Sequence, residues 1–337
     1  MKILILGADG FIGSHLCSRI LEKTDWEVVA IDLKNNFLKG FSDNPNFEFF
    51  KGDITINKNW VEFNIKECDV VIPLVAIAQP KQYVQNPLLV FELTFEANLE
   101  VIRLVAKYQK RLIFPSSSEV YGMSMDECFS EDSSNLSYGP VNKSRWIYAT
   151  SKQLLDRIIF SYGMEQDLRY TIFRPFNWIG PNLDNLYSAR QGNSRVLTQF
   201  IANLFSGDPL QIVHEGEQKR CFTDAEDAID ALMKIIEREA FVDKEIINIG
   251  NPENETSIKD LAILTQKIYA NYKGLEIQQT SKLEFTSEHK FYGEGFQDVT
   301  YRKPDINKAI KLLDWKPHID IEISIGNAVD SWAKKYG

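Results

Sequence analysis

The amino-acid sequence predicts an α/β fold built on a doubly wound parallel sheet, and three observations carry that prediction. Short, mainly apolar runs recur at residues 3–6, 28–31, 47–50, 70–74, 112–114 and 170–173. Longer stretches with helical spacing lie between them, at 11–22, 88–108 and 148–162. A glycine-rich turn joins the first apolar run to the first helical stretch. Strands that are apolar on both faces belong to a parallel sheet, and the helices between them are the crossovers that cover it.

Composition sets the outer limits. A chain of 337 residues buries a large core and makes either about two domains or one large α/β unit. Hydrophobic residues at 44% and charged residues at 25% are ordinary for a soluble globular protein. A formal net charge of -9 argues against nucleic acid or an anionic membrane surface as the main partner, though not against a local basic pocket. No run approaches the ~20 apolar residues of a membrane span, and the apolar start at residues 1–7 is too short for a signal peptide. The reading is a cytoplasmic protein. Cys17, Cys68, Cys128 and Cys221 are scattered without a C-x-x-C pair, which implies free thiols and no metal site.

Taken in order, the first run ends in Gly7-Ala8-Asp9-Gly10-Phe11-Ile12-Gly13. Glycines at this spacing let the backbone turn tightly and approach a pyrophosphate, whose charge the following helix N-terminus stabilises. Position after an N-terminal strand makes this an NAD-binding Rossmann signature, stronger than a glycine trio alone. Asp32 closes the second run about 20 residues on, where a carboxylate bonds the adenosine ribose hydroxyls. It would repel a 2′-phosphate, so NAD is favoured over NADP; Lys34 softens this only slightly. After the third run, Asp53 and Ile54 are further cofactor candidates. Asp53 either reaches the adenine amine or is a solvated strand-end aspartate.

The fifth run ends in Ser116-Ser117-Ser118-Glu119, and Tyr148 and Lys152 follow on a helical stretch. Four residues apart, they share one helix face. An ammonium beside a phenol lowers the tyrosine pKa, making Tyr148 a usable base near neutral pH, and the serine hydroxyls bond the substrate oxygen that loses its proton. Tyr148 and Lys152 therefore serve both catalysis and the cofactor.

Together, the glycine turn, the 116–122 segment Ser-Ser-Ser-Glu-Val-Tyr-Gly and Tyr148-x-x-x-Lys152 resemble the extended short-chain dehydrogenase/reductase superfamily. Longer blocks, at 140–148, 173–181, 218–224 and 246–254, resemble the decarboxylase domain of the bifunctional enzyme of 4-amino-4-deoxy-arabinose synthesis. That resemblance covers nearly the whole chain and implies NAD-dependent oxidation of UDP-glucuronic acid at C4, followed by loss of carbon dioxide. Tyr148 would deprotonate the 4-hydroxyl, giving a ketone β to the C6 carboxylate, and the resulting enolate then needs donors around it. By the same resemblance Ser118, Glu119 and Arg302 complete the catalytic set. Asn177, Arg195, Gln218, Arg220 and Arg145 are candidates for contact with the UDP-sugar, since arginine forks suit phosphate and carboxylate. For Arg302 the bland reading is a surface charge near a helix start; for Glu119, a strand-end cap.

Ser118 stands where sugar 4,6-dehydratases carry aspartate, which argues against dehydration. Gln211 replaces a common lysine and Phe296 a common tyrosine on the nucleotide side. The first strand begins at Met1, so the resemblance implies a stand-alone decarboxylase-type enzyme without a formyltransferase half. UDP-xylose synthase and UDP-apiose/xylose synthase, which return the hydride, share these features, and a non-catalytic NAD or nucleotide-sugar sensor is a third reading. Residues 1–176 read as the NAD-binding domain. Residues 177–337, punctuated by glycine and proline into shorter elements, read as a smaller α/β substrate region, with some strand exchange between the two. The apolar faces at 88–108 and 148–162 either pair with a second copy in a homodimer, as in related enzymes, or cover the sheet of one monomer.

Overall fold

The computed structural model describes residues 1–300 and 302–336. Six strands lead the chain: β1 (Lys2–Leu6), β2 (Glu27–Asp32), β3 (Phe47–Lys51), β4 (Val70–Pro73), β5 (Arg111–Pro115) and β6 (Tyr170–Pro175). They are followed by β7 (Trp178–Ile179), β8 (Leu210–Val213), β9 (Lys219–Cys221), β10 (Thr223–Asp224), β11 (Glu245–Ile249), β12 (Glu255–Ser257) and β13 (Leu283–Thr286). Seven of these form one parallel sheet in the order β11-β6-β5-β4-β1-β2-β3. The doubly wound sheet is as the apolar runs predict, and the order reverses between β1 and β4.

Alternation along the strands builds a core on each face. Ile3 and Ile5 of β1 pack with Leu16 and Ile20 of the helix Phe11–Lys23 and with Ile229, Leu232 and Ile236 of the helix Ala225–Glu237. Leu4 and Leu6 point to the other face, against Val101 and Val105 of the helix Ala97–Lys107 and Leu155 and Ile159 of the helix Trp146–Gln166. Each such burial contributes about 1.5–3 kcal/mol. Arg111, almost wholly buried, directs its charge to a helix end: its Nη1 and Nη2 donate to the carbonyls of Ile236 and Ile235 at 2.7 and 2.6 Å, satisfying groups that the last turn leaves open.

Two expectations change. The predicted helix at 88–108 is broken by a π turn, Glu92–Glu96, between Pro87–Phe91 and Ala97–Lys107. The extra residue frees carbonyls, and Asn98 Nδ2 donates to those of Leu93 and Thr94 and to that of Val75, two residues past β4 (2.9–3.1 Å). A side chain thus takes over bonds that the regular ladder drops. The region after residue 177 is also less fragmented than its glycines and prolines imply. It carries long helices at Val196–Ser206, Ala225–Glu237, Ile258–Lys273 and Ile321–Tyr336, around a third core that includes Phe200, Leu210, Leu261 and Val329. From this region β11 returns to pair with β6.

Among the described residues no helix is long and apolar enough to cross a membrane, and no cluster of side chains is suited to a metal ion. All four cysteines are free thiols.

Candidate active site

Near the C-terminal ends of β1, β4, β5 and β6 lies one cleft of about 520 Å³, at the reversal of strand order where open α/β sheets bind ligands. The glycine turn walls one end. A Cβ on Gly13 would lie 2.5 Å from the carbonyl oxygen of Gly7 and 2.7 Å from Ala8 Cα, so only glycine lets the helix Phe11–Lys23 begin this close to β1. That helix has no acidic residue in its first turn, leaving its amide end positive for an anion. Gly7, Gly10, Phe11, Ile12 and Gly13 all line the cleft, and a pyrophosphate fits this cradle.

Asp32 stands just behind it. Its carboxylate accepts from the N–H groups of Asp9 (2.9 Å) and Leu33 (2.7 Å); burial raises its pKa, and these backbone bonds oppose the rise. Asp9 in turn accepts from the N–H groups of Asn36 and Phe37, clamping the loop after β2 onto the glycine turn. Asp9, inside the motif but not singled out by it, is a structural part of the site. Asp53 and Ile54 lie outside the lining of the cleft. Asp53 Oδ1 accepts from the N–H and hydroxyl of Thr55 at 2.8 and 2.7 Å, the local turn of a strand-end aspartate, while Ile54 packs in the core.

Tyr148 and Lys152 occupy the middle, one turn apart on the helix Trp146–Gln166 and both buried. The Tyr148 ring stacks on Tyr83, with centroids 4.7 Å apart and planes within 5°, and its hydroxyl hydrogen-bonds Ser117. Lys152 Nζ donates to the carbonyl of Pro115 at 2.6 Å and lies 4.8 Å from the Phe114 ring centre. Burial pushes Tyr148 up to about 12, against the Ser117 bond, and pushes Lys152 down to about 8, against the charge of Asp156. The expected lowering of the tyrosine by the lysine is therefore not the controlling effect here: the ammonium is committed to a carbonyl, and desolvation dominates both groups.

The far end is charged. Glu119 accepts from Arg145 Nη2 at 2.6 Å and from Arg302 Nη1 at 2.8 Å, and Arg302 Nη1 also donates to Ser118 Oγ at 3.1 Å. Both arginines are buried, so Arg302 is not the surface charge that its Arg-Lys-Pro-Asp setting allowed. Burial alone would raise Glu119, but Arg145, Arg302 and Arg220 outweigh it and hold the carboxyl at about 2. The Arg145 guanidinium lies 4.6 Å from the Trp146 ring and 5.1 Å from Phe296. Its Nε and Nη1, and the Nε of Arg302, are buried without a hydrogen-bond partner among the described residues.

The remaining candidates line the same cleft. Arg220 Nη2 donates to Asp298 at 2.7 Å, and Gln218 is its near neighbour in the chain. Asn177, in left-handed backbone geometry with φ 40°, donates to the carbonyl of Cys221 at 3.0 Å. Arg195 is held by Asp184 and lies 5.4 Å from the Phe11 ring, nearer the glycine end than its grouping with Arg220 implied. Gln211 lines the cleft with an exposed side chain, and Phe296 stacks on Tyr292 at 3.8 Å. Sequence reasoning missed Tyr83 and did not separate Ser117 from its serine neighbours.

Residues 3–250 match the family model of the NAD dependent epimerase/dehydratase family. A crystal structure of the PbgP3 protein from Burkholderia pseudomallei is 47% identical, covering 98% of this chain and 96% of its own, with a TM-score of 0.89. The fold is also that of UDP-glucuronic acid 4-epimerase from Bacillus cereus, seen in complex with UDP-glucuronic acid and NAD (24% identity, 100% of each chain, TM-score 0.80). A dTDP-glucose 4,6-dehydratase from Bacillus anthracis, in complex with NAD, shares it at 22% identity over 99% and 97% of the two chains, TM-score 0.79.

Proposed function

The chain belongs to the NAD dependent epimerase/dehydratase family, with NAD as cofactor, and we propose that it oxidises UDP-glucuronic acid at C4 and releases carbon dioxide to give a UDP-4-keto-pentose. The observation that carries this reading is the charged end of the cleft: two buried arginines share one carboxylate and keep three donor nitrogens without a partner among the described residues. A buried donor without a partner is costly, and an anionic sugar carboxylate supplies what it lacks. A neutral hexose offers those donors hydroxyl oxygens but no negative charge to match the two cations.

In this reading the glycine cradle and Asp32 hold the dinucleotide, which when bound supplies the acceptor for the C4 hydride. Tyr148, bonded to Ser117, removes the proton of the 4-hydroxyl as its phenolate; burial holds the phenol up at about 12 before ligands bind, so that form is the minor one, and the Lys152 charge one turn away favours it. The product ketone is β to the C6 carboxylate. When the C5–C6 bond breaks, its electron pair moves toward the C4 oxygen and carbon dioxide leaves. One proton taken up at C5 balances the one removed from the hydroxyl. Arg145, Arg302 and Ser118 place donors near the carboxylate and the enolate, the preorganised stabilisation that lowers such barriers most. Glu119 stays ionised between the arginines, so it orients them and is not the proton source. Residues 1–176 then serve the cofactor and 177–337 the UDP-sugar, with β11 lent to the first. Exposed Leu88, Leu89, Leu154, Phe160 and Met164 on the two long helices support a homodimer.

The test is to follow NADH absorbance with NAD and UDP-glucuronic acid and to identify the sugar by NMR. Stoichiometric NADH with a UDP-4-keto-pentose is expected. Carbon dioxide without net NADH, yielding UDP-xylose, would move the protein to the hydride-returning enzymes.

A further inference from the structure

Beneath the cleft runs a chain of buried polar side chains, of which only Ser116 also lines the cleft. Ser116 Oγ donates to Asp156 Oδ2 at 2.8 Å, and the same oxygen accepts from Arg174 Nη2 at 3.1 Å. Arg174 Nη1 donates to the Tyr121 hydroxyl at 3.0 Å, and that hydroxyl donates to Asn248 Oδ1 at 2.8 Å. Asn248 Nδ2 completes the chain on the carbonyls of Phe129 (2.8 Å) and Asp305 (3.1 Å). Asp156, Arg174, Asn248 and Tyr121 are all within 4% of complete burial.

What makes this more than packing is where each member sits. Asp156 is one helical turn beyond Lys152 and two beyond Tyr148. Ser116 immediately precedes Ser117 and Ser118. Tyr121 shares the one-turn helix Ser118–Tyr121 with Glu119, a turn closed by Gly122 (φ +57°), where a Cβ would meet the Ser137 carbonyl oxygen at 1.9 Å. The Asp305 carbonyl lies three residues beyond Arg302, in a loop pinned twice more by backbone bonds, Phe129 N–H to Lys303 and Asp305 N–H to Phe129. Three separate stretches, each bearing part of the site, therefore end on one hydrogen-bonded chain. An apolar core would hold them together by shape, and the directional bonds tie each stretch to a particular partner atom as well.

We propose that Tyr121 is a positioning residue, the link through which the Tyr148–Lys152 helix and the Arg302 loop are held in one registry around Glu119. Its hydroxyl sits at the middle of the chain, bonded on one side to Arg174 and on the other to Asn248. Removing it separates the chain into a half attached to the Tyr148–Lys152 helix and a half attached to the Arg302 loop. The steps it affects are named by the proposed decarboxylation, and in that respect the inference rests on that reading.

Tyr121→Phe keeps the ring that packs on Phe129 and Phe176 and deletes only the hydroxyl. The first readout, amide hydrogen exchange by mass spectrometry on the full chain with NAD, needs no sugar substrate. Faster exchange confined to residues 118–122 and 302–306, with the helix Trp146–Gln166 unchanged, is expected. The second readout separates the chemistry: carbon dioxide release is expected to fall about 10- to 100-fold while the first-turnover rate of NADH formation changes several-fold at most, as for a site misplaced by a fraction of an ångström. Unchanged exchange at 302–306 overturns the proposal. Exchange that rises evenly over the fold, or two steps that fall in parallel, overturns it in favour of a purely structural role. If the wild-type protein forms no NADH from UDP-glucuronic acid, the reaction assignment fails, and the exchange pattern still decides the role of Tyr121.

Discussion

The two ends of the reacting centre are built on opposite electrostatic plans. Around Tyr148 and Lys152, charge is scarce: an aromatic ring stacks on the tyrosine, another lies under the lysine, and desolvation moves the two pKa values apart from their usual near-coincidence, to about 12 and about 8. Around Glu119, charge is dense. Arg145, Arg302 and Arg220 surround one carboxylate and hold it at about 2 although it is almost as deeply placed. The same burial thus softens the ionised forms at one end and, because partners are present, locks them at the other. A group that must gain and lose a proton belongs in the first setting, and a group that must hold a fixed charge belongs in the second.

Tyr148→Phe breaks the first setting and carries the largest expected effect. NADH formation should fall by about 10²- to 10⁴-fold, with NAD affinity unchanged by calorimetric titration. Unchanged turnover would remove Tyr148 as the base. Next comes Arg302→Met, which takes one cation from the second setting. Carbon dioxide release should drop about 10²- to 10³-fold while C4 oxidation persists, visible as NADH formed ahead of released gas; a wild-type rate would return Arg302 to a passive role.

The smallest expected rate effect is that of Glu119→Gln, but it sharpens the contrast through stability. The folded carboxyl, at about 2, lies below its ordinary 4.5. Its contribution is therefore fully present above pH 4.5 and is lost as pH falls through about 2, to a total of roughly 3 kcal/mol. The variant should melt lower at pH 7 and lose less on acidification over that window, and it should retain C4 oxidation while releasing carbon dioxide more slowly. Parallel acid melting curves for the two proteins would show that the arginines do not depend on this carboxylate.

What was legible in the sequence follows the reach of each interaction. The glycine turn and Tyr148-x-x-x-Lys152 are local patterns, readable because a turn or a helix face brings neighbours together. Six strands declared themselves as short, mainly apolar runs. β11 was not read as one; Asn248 splits its apolar run, and that asparagine belongs to the buried polar chain. The π turn at Glu92–Glu96 left no mark either, since the asparagine that takes up its freed carbonyls, Asn98 on Leu93 and Thr94, looks like any other polar residue in a helical stretch. Three consecutive serines look alike in sequence. Only the turn after β5 sends Ser117 to Tyr148 and Ser118 to Arg302, across 184 residues. The approach of Arg302 to Glu119 came from resemblance alone, as no periodicity joins residues so far apart.

The late arrival of β11 has a consequence for how the protein is made. A ribosome delivers the glycine turn, the serines and the Tyr148 helix long before it delivers Glu245–Ile249, and until then β6 is a bare edge with unpaired N–H and C=O groups. The nascent chain must carry that adhesive edge through the synthesis of about seventy residues, several seconds at ordinary elongation rates. Arg111 waits as well, because the helix carbonyls that receive its charge belong to the same late segment. Synthesis speed and chaperone supply, and not only final stability, therefore bear on how much of this protein a cell obtains.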